Sequence, residues 1–201
     1  MIYLASRSPR RRELLAQIGV RFEPLMFREG GRAEAELDES VRTGETPDEY
    51  VRRMARMKCD AAWNRVKQRR GLRQLPVLAA DTTVAVDEQI LGKPADKEEA
   101  MQMLRLLSGR SHRVLTAVAV AFEERFQMSV NESTVVFEAL DEKRMAEYVA
   151  SGEPFDKAGG YGIQGRAGAF VVRIEGSYSG VMGLPLRETA QLLRKFGIVV
   201  P

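Results

Sequence analysis

Apolar residues along the chain repeat with two periods, one typical of strands and the other typical of helices. Strand-like runs lie at 2–5, 76–86, 112–122, 127–139 and 169–174. Apolar positions three and four apart predict helices that begin after Ser8, Thr46, Asp96 and Asp141 and at Pro185. Because helices and strands interleave, and two strands are adjacent in the middle, the pattern predicts an α/β fold. We expect a mixed, twisted sheet with flanking helices.

The composition is that of a chain with one substantial core. Its 201 residues are enough for one core, or for two lobes that share one, so we expect a single domain over 1–201. No apolar run approaches the roughly 18 residues that a membrane helix needs. The first residues also lack the order of charged and apolar segments found in a signal peptide. We therefore expect a cytoplasmic protein with no membrane partner.

The chain contains one cysteine and one histidine, which narrows the chemistry it can perform. A lone Cys59 excludes an intramolecular disulfide and any metal cluster held by cysteines. A lone His112 excludes zinc sites built from several histidines. Because His112 lies at the start of a predicted strand, a structural role is favoured for it.

The charge balance gives little support to nucleic-acid binding. The formal net charge of +3 is a small difference between 31 basic and 28 acidic residues, and nucleic-acid binders usually concentrate basic residues on one face. Segments 7–12 and 65–73 are locally basic, and the second has the composition of a solvated helix end. Neither segment contains aromatic residues for base stacking. Nucleic-acid binding is therefore the alternative hypothesis, and no stable nucleic-acid partner is expected.

A polar turn between the first strand and the first helix is a candidate anion site. A helix N-terminus presents free backbone N–H groups and the positive end of the helix dipole. Ser6 and Ser8 add hydroxyl groups, and the arginines of 7–12 add guanidinium groups that match phosphate oxygens. The same residues also fit a capped surface helix with solvated arginines, since the GxxxxGK[ST] pattern of a P-loop is absent.

Two charged residues lie where apolar residues are expected. Lys58 shares the helical stripe of Met54 and Ala62, which indicates either a lysine that extends to solvent or a cation that lines a cleft. Asp81 interrupts an apolar strand, which indicates either a turn residue that ends the strand or a paired carboxylate at a ligand crevice. Lys93 and the glycine-rich segment 156–168 are weaker signals of a binding site.

Together these positions combine several cations with one carboxylate, which suits hydrolysis of a phosphoanhydride. A triphosphate carries about four negative charges, and one charge pair at 4 Å contributes on the order of 4 kcal/mol at an effective dielectric constant near 20. An exposed pair contributes about 0 to 1 kcal/mol, so the cations matter only if they converge in a cleft. The carboxylate would orient a water molecule or hold Mg²⁺.

Six motifs, in order along the chain, carry a resemblance to a known family. They are SRSPRRRELL at 6–15, MARMKC at 54–59, AADT at 79–82, GKP at 92–94, DKAGGYGIQG at 156–165 and MGLPL at 182–186. With these motifs the chain resembles the Maf family, the septum-formation-associated nucleoside triphosphate pyrophosphatases. The resemblance implies a fold like that of inosine-triphosphate pyrophosphatase, with two lobes around a cleft. It also implies hydrolysis of a nucleoside triphosphate to monophosphate and pyrophosphate with a divalent cation, Mg²⁺ or Mn²⁺.

The resemblance also implies roles for residues at the matching positions. Asp81 would be the proton acceptor and a metal ligand, and Glu39 is a second candidate ligand for the metal or for a water molecule. The residues that would hold the triphosphate are Ser6, Ser8, Arg10, Lys58 and Lys93. Three positions depart from the commonest family pattern. Arg7 stands where Gly is usual, Cys59 stands where Ala is usual, and Gly92 stands where some members have Glu.

Substrate subgroups of the family are separated at three positions, which fall here on Arg11, Thr82 and Gln164. This combination resembles the type that acts on dTTP and UTP, including modified uridine triphosphates. The alternative is the 7-methyl-GTP type, which carries a bulky aromatic residue, Gln and Glu instead. The resemblance further implies a homodimer, and a cellular role in excluding noncanonical nucleotides and arresting cell division.

Overall fold

A mixed sheet organises residues 1–25 and 38–200, the part of the chain that the computed structural model describes. Its strands are β1 (Ile2–Ala5), β2 (Phe22–Pro24), β3 (Val77–Val86), β4 (Gln89–Leu91), β5 (Ser111–Phe122), β6 (Arg125–Phe137) and β7 (Val171–Glu175). They lie in the order β2-β1-β3-β5-β6-β7, and β4 pairs with β3. β1 is parallel to β2 and β3, and the remaining pairs are antiparallel. The predicted mixed-sheet α/β fold is confirmed.

The five helices longer than four residues in the described part of the chain begin within one residue of where the sequence predicts them. The helices are α1 (Pro9–Gln17), α2 (Pro47–Gln68), α3 (Lys97–Leu107), α4 (Glu142–Ala150), α5 (Tyr178–Val181) and α6 (Leu186–Lys195). Ser8, Thr46, Asp96 and Asp141 each cap a helix by accepting a backbone hydrogen bond. At Thr46 the bond is reciprocated by Glu49, which completes the predicted capping box. None of the helices in the described ranges combines the length and apolar character needed to cross a membrane.

The alternation of side chains along β3 decides which helix each residue meets. Successive side chains of a strand point to opposite faces of the sheet. Leu78 and Ala80 pack in the cluster that includes the apolar residues of α1 and α6. Val77 and Ala79 pack on the opposite face, against the apolar residues of α2. The next residues continue the alternation, so Asp81 faces α2 and Thr82 faces α1.

Several short elements differ from the prediction. β2, β4 and α5 were not predicted, because segments of three or four residues show no clear periodicity. The last strand begins at Val171, two residues later than expected, because a 3₁₀ turn occupies Arg166–Phe170. Asp81 lies in the middle of β3, which continues to Val86. The alternative reading of Asp81 as a residue that ends the strand was therefore wrong.

Candidate active site

A cavity of about 620 Å³ opens beside the middle of β3, a volume within the usual range of ligand sites. Along this edge of the sheet, β1 pairs with β3 up to Ala79, and β4 begins to pair at Val84. Within the described ranges, residues 80–83 therefore have no paired strand on that edge. Side chains from both faces of β3 can reach the cavity here, because it occupies the gap between the two neighbouring strands.

The cavity collects the residues that the sequence singled out from distant parts of the chain. Those that line it are Ser6, Ser8, Arg10, Arg11, Glu39, Lys58, Asp81, Thr82, Lys93 and Gln164. The first four come from the turn before α1 and from its first turn, Lys58 comes from α2, and Asp81 and Thr82 come from β3. Every candidate site residue thus lies around one cavity.

Lys58 links two carboxylates at one side of the cavity. Its Nζ lies 2.6 Å from Oδ1 of Asp81 and 2.9 Å from Oε1 of Glu39. Burial opposes the charge on Lys58, but Asp81 and Glu39 outweigh it and raise the pKa of the ammonium group above its ordinary value. Burial also opposes ionisation of Glu39, yet the neighbouring Lys58 lowers the pKa of that carboxyl. The lysine therefore holds its charge inside the cavity and does not extend to solvent.

Arg11 begins a chain of hydrogen bonds on the other face of β3. Its Nε donates to the carbonyl oxygen of Gly183 over 2.7 Å, and its Nη2 donates to Oγ1 of Thr82 over 3.0 Å. Thr82 is in turn 2.9 Å from Oγ1 of Thr116, which donates to the carbonyl oxygen of Gly180 over 2.8 Å. Burial lowers the pKa of the Arg11 guanidinium, and the charge of Asp81 opposes that shift. The two faces of β3 thus carry two different polar groups.

The turn before α1 places hydroxyl and guanidinium groups at the cavity. Ser8 caps the helix by accepting a bond from the backbone N–H of Arg11, and Ser6 accepts one from the backbone N–H of Ser8. Each serine therefore retains its own O–H as a donor. Arg10, one residue into α1, points across the cavity, and its Nη1 lies 4.0 Å from Oδ2 of Asp156. These groups surround the helix N-terminus with donors suited to an anion.

The glycine-rich segment 156–168 closes the opposite side of the cavity. The backbone N–H of Gly159 donates to the carbonyl oxygen of Gly92 over 2.9 Å, which attaches the segment beside Lys93. Gly159 has φ of +69°, and an added Cβ would lie 2.9 Å from the side chain of Val84. Only glycine fits this approach without strain. The contact places Gln164 and Lys157 at the cavity wall.

His112 contacts this segment through Tyr161. It is 3% exposed, and its Nε2 lies 2.7 Å from the hydroxyl oxygen of Tyr161, which lines the cavity. Burial lowers the pKa of His112 to about 4 and raises that of Tyr161. The imidazole is therefore neutral at physiological pH, and His112 itself does not line the cavity. These contacts agree with a structural role.

The carboxylates of the cavity fit a magnesium ion only if a ligand completes its coordination. Residues 1–25 and 38–200 contain no group of three or more His, Cys, Asp and Glu side chains placed to hold a metal. Asp81 and Glu39 do converge, since both contact the same lysine nitrogen. Mg²⁺ commonly takes one or two protein carboxylates together with phosphate oxygens and water. The pair therefore fits a metal that arrives with a phosphorylated ligand.

Sequence reasoning missed three residues that shape the cavity. Tyr161 and Gly183 line it, and Thr116 contacts Thr82 from the core. Thr116 carried a usable signal, because it interrupts the apolar run of β5 as Asp81 interrupts that of β3. Its contact with Thr82 could not be predicted, because the sequence of one strand does not specify which residue of another strand lies opposite.

Known proteins match this chain over nearly its whole length. The family described as "Maf-like protein" matches residues 1–196. A dTTP/UTP pyrophosphatase of Nitrosomonas europaea is 52% identical over 199 residues, which cover 99% of this chain and 96% of that protein. A dTTP/UTP pyrophosphatase of Cupriavidus metallidurans is 55% identical over 198 residues, 98% of each chain.

Among solved structures, the Ham1 protein of Staphylococcus aureus is 19% identical, with a TM-score of 0.42, over 70% of this chain and 72% of that chain. The match over residues 1–196 and the identity above half with several relatives are far stronger. From these two findings, this chain belongs to the Maf family.

Proposed function

We propose that this protein hydrolyses dTTP and UTP to the nucleoside monophosphate and pyrophosphate. The observation that carries the proposal is the convergence of Arg10, Arg11, Lys58 and Lys93 on one cavity that also holds the carboxylate of Asp81. Relatives more than half identical to this chain are named dTTP/UTP pyrophosphatases, which supports the choice of substrate.

The cations of the cavity are suited to the charge of a triphosphate. Arg10 and Lys93 join the hydroxyls of Ser6 and Ser8 and the N-terminus of α1 around the same space. Inside a cleft each charge pair is worth several times its value at an exposed surface. As the anhydride bond between the α- and β-phosphates breaks, negative charge moves to the departing pyrophosphate. These fixed cations stabilise that charge.

Asp81 is placed to accept the proton of the attacking water. It is 9% exposed, and its Oδ1 is held by Lys58 at 2.6 Å, which orients the carboxylate. Its other oxygen is the one to which we assign the proton. A general base of this kind contributes about a hundredfold to ten-thousandfold in rate.

Asp81 and Glu39 are the residues that would hold the divalent cation, Mg²⁺ or Mn²⁺. When bound with the substrate, such an ion neutralises phosphate charge and lowers the pKa of a coordinated water. Glu39 lies beside Lys58 at the mouth of the cavity, with its side chain 51% exposed. Removal of the metal with a chelator should abolish turnover, and added Mg²⁺ or Mn²⁺ should restore it.

Arg11, Thr82 and Gln164 would select the nucleobase. Arg11 and Thr82 lie side by side, joined by a 3.0 Å hydrogen bond, and Gln164 lines the cavity from the facing segment. Guanidinium and amide groups supply donors for the carbonyl oxygens of uracil and thymine. No aromatic or acidic residue stands at these three positions, as the 7-methyl-GTP type would require.

The test is a comparison of products and substrates with purified protein. With Mg²⁺ or Mn²⁺, dTTP and UTP should yield pyrophosphate and no orthophosphate, and 7-methyl-GTP should react far more slowly. Asp81→Asn should lower kcat at least a hundredfold while the melting temperature stays close to that of the wild type. Orthophosphate as the product would contradict the proposed reaction.

The matched control is Asp60→Asn, which changes the same functional group on an exposed face of α2. Asp60 pairs with Arg56 at 3.0 Å, and both side chains are about half exposed. Because an exposed pair contributes little, the control should keep wild-type kcat and KM. Full activity of Asp81→Asn would remove Asp81 from the proposed role.

A further inference from the structure

We propose that Thr116 is a positioning residue for nucleobase selection, because it fixes the hydroxyl proton of Thr82 and leaves Thr82 only an accepting oxygen for the ligand. The inference rests on the proposed function and names the way in which that site would distinguish nucleobases. Thr116 belongs to β5, is fully buried and does not line the cavity. Its effect on a ligand must therefore pass through Thr82.

The direction of each hydrogen bond follows from what the groups can donate. A carbonyl oxygen only accepts, so in the 2.8 Å contact with Gly180 the proton belongs to Thr116. A hydroxyl has one proton, so Thr116 must accept in its 2.9 Å contact with Thr82. Thr82 therefore donates its own proton to Thr116.

Arg11 then uses one of the two lone pairs of Thr82. A guanidinium group has donors and no acceptor, so Nη2 of Arg11 donates over 3.0 Å to Oγ1 of Thr82. The proton of Thr82 is directed toward Thr116 in the core, and one lone pair remains on the oxygen of a residue that lines the cavity. Thr82 can accept a hydrogen bond from a ligand, but it has no proton to offer.

Close packing holds the three partners in this arrangement. Thr82 and Thr116 are directly opposite each other in the pairing of β3 with β5, so their side chains share a face. Gly180 lies in α5, where an added Cβ would lie 2.4 Å from Oδ1 of Asn131. The helix therefore packs closely on β6, and the carbonyl that receives the proton of Thr116 is fixed in place.

An acceptor beside a donor matches the edge of uracil or thymine. These bases present N3–H next to a carbonyl oxygen, whereas cytosine presents an unprotonated N3 next to an amino group. The oxygen of Thr82 can accept from N3–H of uracil or thymine, and the N–H groups of Arg11 can donate to the adjacent carbonyl oxygen. With cytosine, the Thr82 oxygen would face the N3 acceptor, and the N–H groups of Arg11 would face the amino donor. Mispaired polar groups in a closed site are strongly rejected.

The test measures kcat and KM for UTP and CTP in variants of Thr116. Thr116→Val removes the hydroxyl, so Thr82 can turn its proton toward the ligand. We expect the preference for UTP over CTP in kcat/KM to fall about tenfold, through KM, with kcat little changed. Thr116→Ser keeps the hydroxyl and should keep the preference. Thr116→Ala, which lacks the hydroxyl and is smaller, replaces the valine variant if that one does not fold.

Thr83→Val is the matched control, because Thr83 is the neighbouring residue of β3. It is 2% exposed, and its hydroxyl has no hydrogen-bond partner among the described residues. It also lies outside the cavity lining, so the control should preserve both activity and preference. An unchanged preference in Thr116→Val, or an equal loss in Thr116→Ser, would overturn the role of Thr116. Failure of the wild type to cleave UTP would instead contradict the proposed function itself.

Discussion

Arg11 serves the cavity through the geometry of its guanidinium group. Its guanidinium reaches two acceptors at once, the carbonyl oxygen of Gly183 at 2.7 Å and the hydroxyl of Thr82 at 3.0 Å. A lysine carries the same charge but lacks the planar, forked geometry that serves both. The residue therefore acts through the positions of its N–H groups as much as through its charge.

Arg11→Lys should raise KM for UTP about tenfold, because one hydrogen bond to a buried acceptor is lost and Thr82 loses its fixed partner. The change in kcat should be small, since Asp81 and Lys58 lie on the other face of β3. Steady-state kinetics with UTP and dTTP would measure both constants. Arg12→Lys is the control, because Arg12 lies outside the cavity lining. A wild-type KM in Arg11→Lys would contradict this role.

At the scale of single residues, the sequence indicated the charged groups better than the neutral ones. Lys58 and Asp81 were recognisable because a charge on an apolar stripe or strand needs a compensating partner. Thr116 also interrupts an apolar run, that of β5, but a hydroxyl costs little to bury once it is hydrogen-bonded, so its signal was weaker. The contact of Arg11 with Thr82 joins residues 71 positions apart, which no local pattern encodes.

The glycine-rich segment is the element on which the cavity wall depends. Gly159 lies against Val84 of β3, and its backbone N–H is bonded to Gly92 at 2.9 Å. The segment carries Lys157, Tyr161 and Gln164 to the cavity. Any side chain at Gly159 must move either the segment or the strand.

Gly159→Ala should lower the melting temperature and raise KM several-fold, because its Cβ would lie 2.9 Å from Val84. Gly44→Ala separates this clash from backbone strain. Gly44 also has positive φ, +75°, but nothing lies within 4 Å of an added Cβ. It should show only the strain, roughly 1 kcal/mol in the free energy of unfolding, and wild-type KM. Thermal denaturation and UTP kinetics would measure the melting temperature and KM of both variants. Equal effects of the two substitutions would contradict the predicted clash with Val84.

Elements with strong local signals were predictable, and short elements were not. α2 was marked by the capping box of Thr46 and Glu49 and by its apolar stripe. β2 has only three residues, ends in Pro24 and depends on parallel pairing with β1. α5 has four residues and is stabilised by its cap and by contacts with β5 and β6, not by helix propensity.

For the molecule as a whole, His112 links stability to pH. Burial lowers its pKa to about 4 in the folded state, whereas an unfolded histidine titrates near 6.5. Between these values the unfolded chain binds a proton that the folded chain does not. Stability from this residue is therefore fully present above about pH 6.5 and is lost as the pH falls toward 4.

The free energy of unfolding should fall by about 1 kcal/mol more between pH 7 and 5.5 in the wild type than in His112→Gln. The chain has a single histidine, so this variant removes the only histidine titration. Denaturant unfolding at the two pH values would measure the difference. The same pH dependence in both proteins would show that folding does not lower the pKa of His112.

The alternation of side chains along β3 gives this protein an advantage for redesign. Hydrolysis and nucleobase choice are assigned to adjacent residues that point in opposite directions, and different helices support them. Substitutions at Thr82, Thr116 or Arg11 can therefore be screened for new substrates while the reacting side stays intact. A library confined to these three positions is small enough to sample completely.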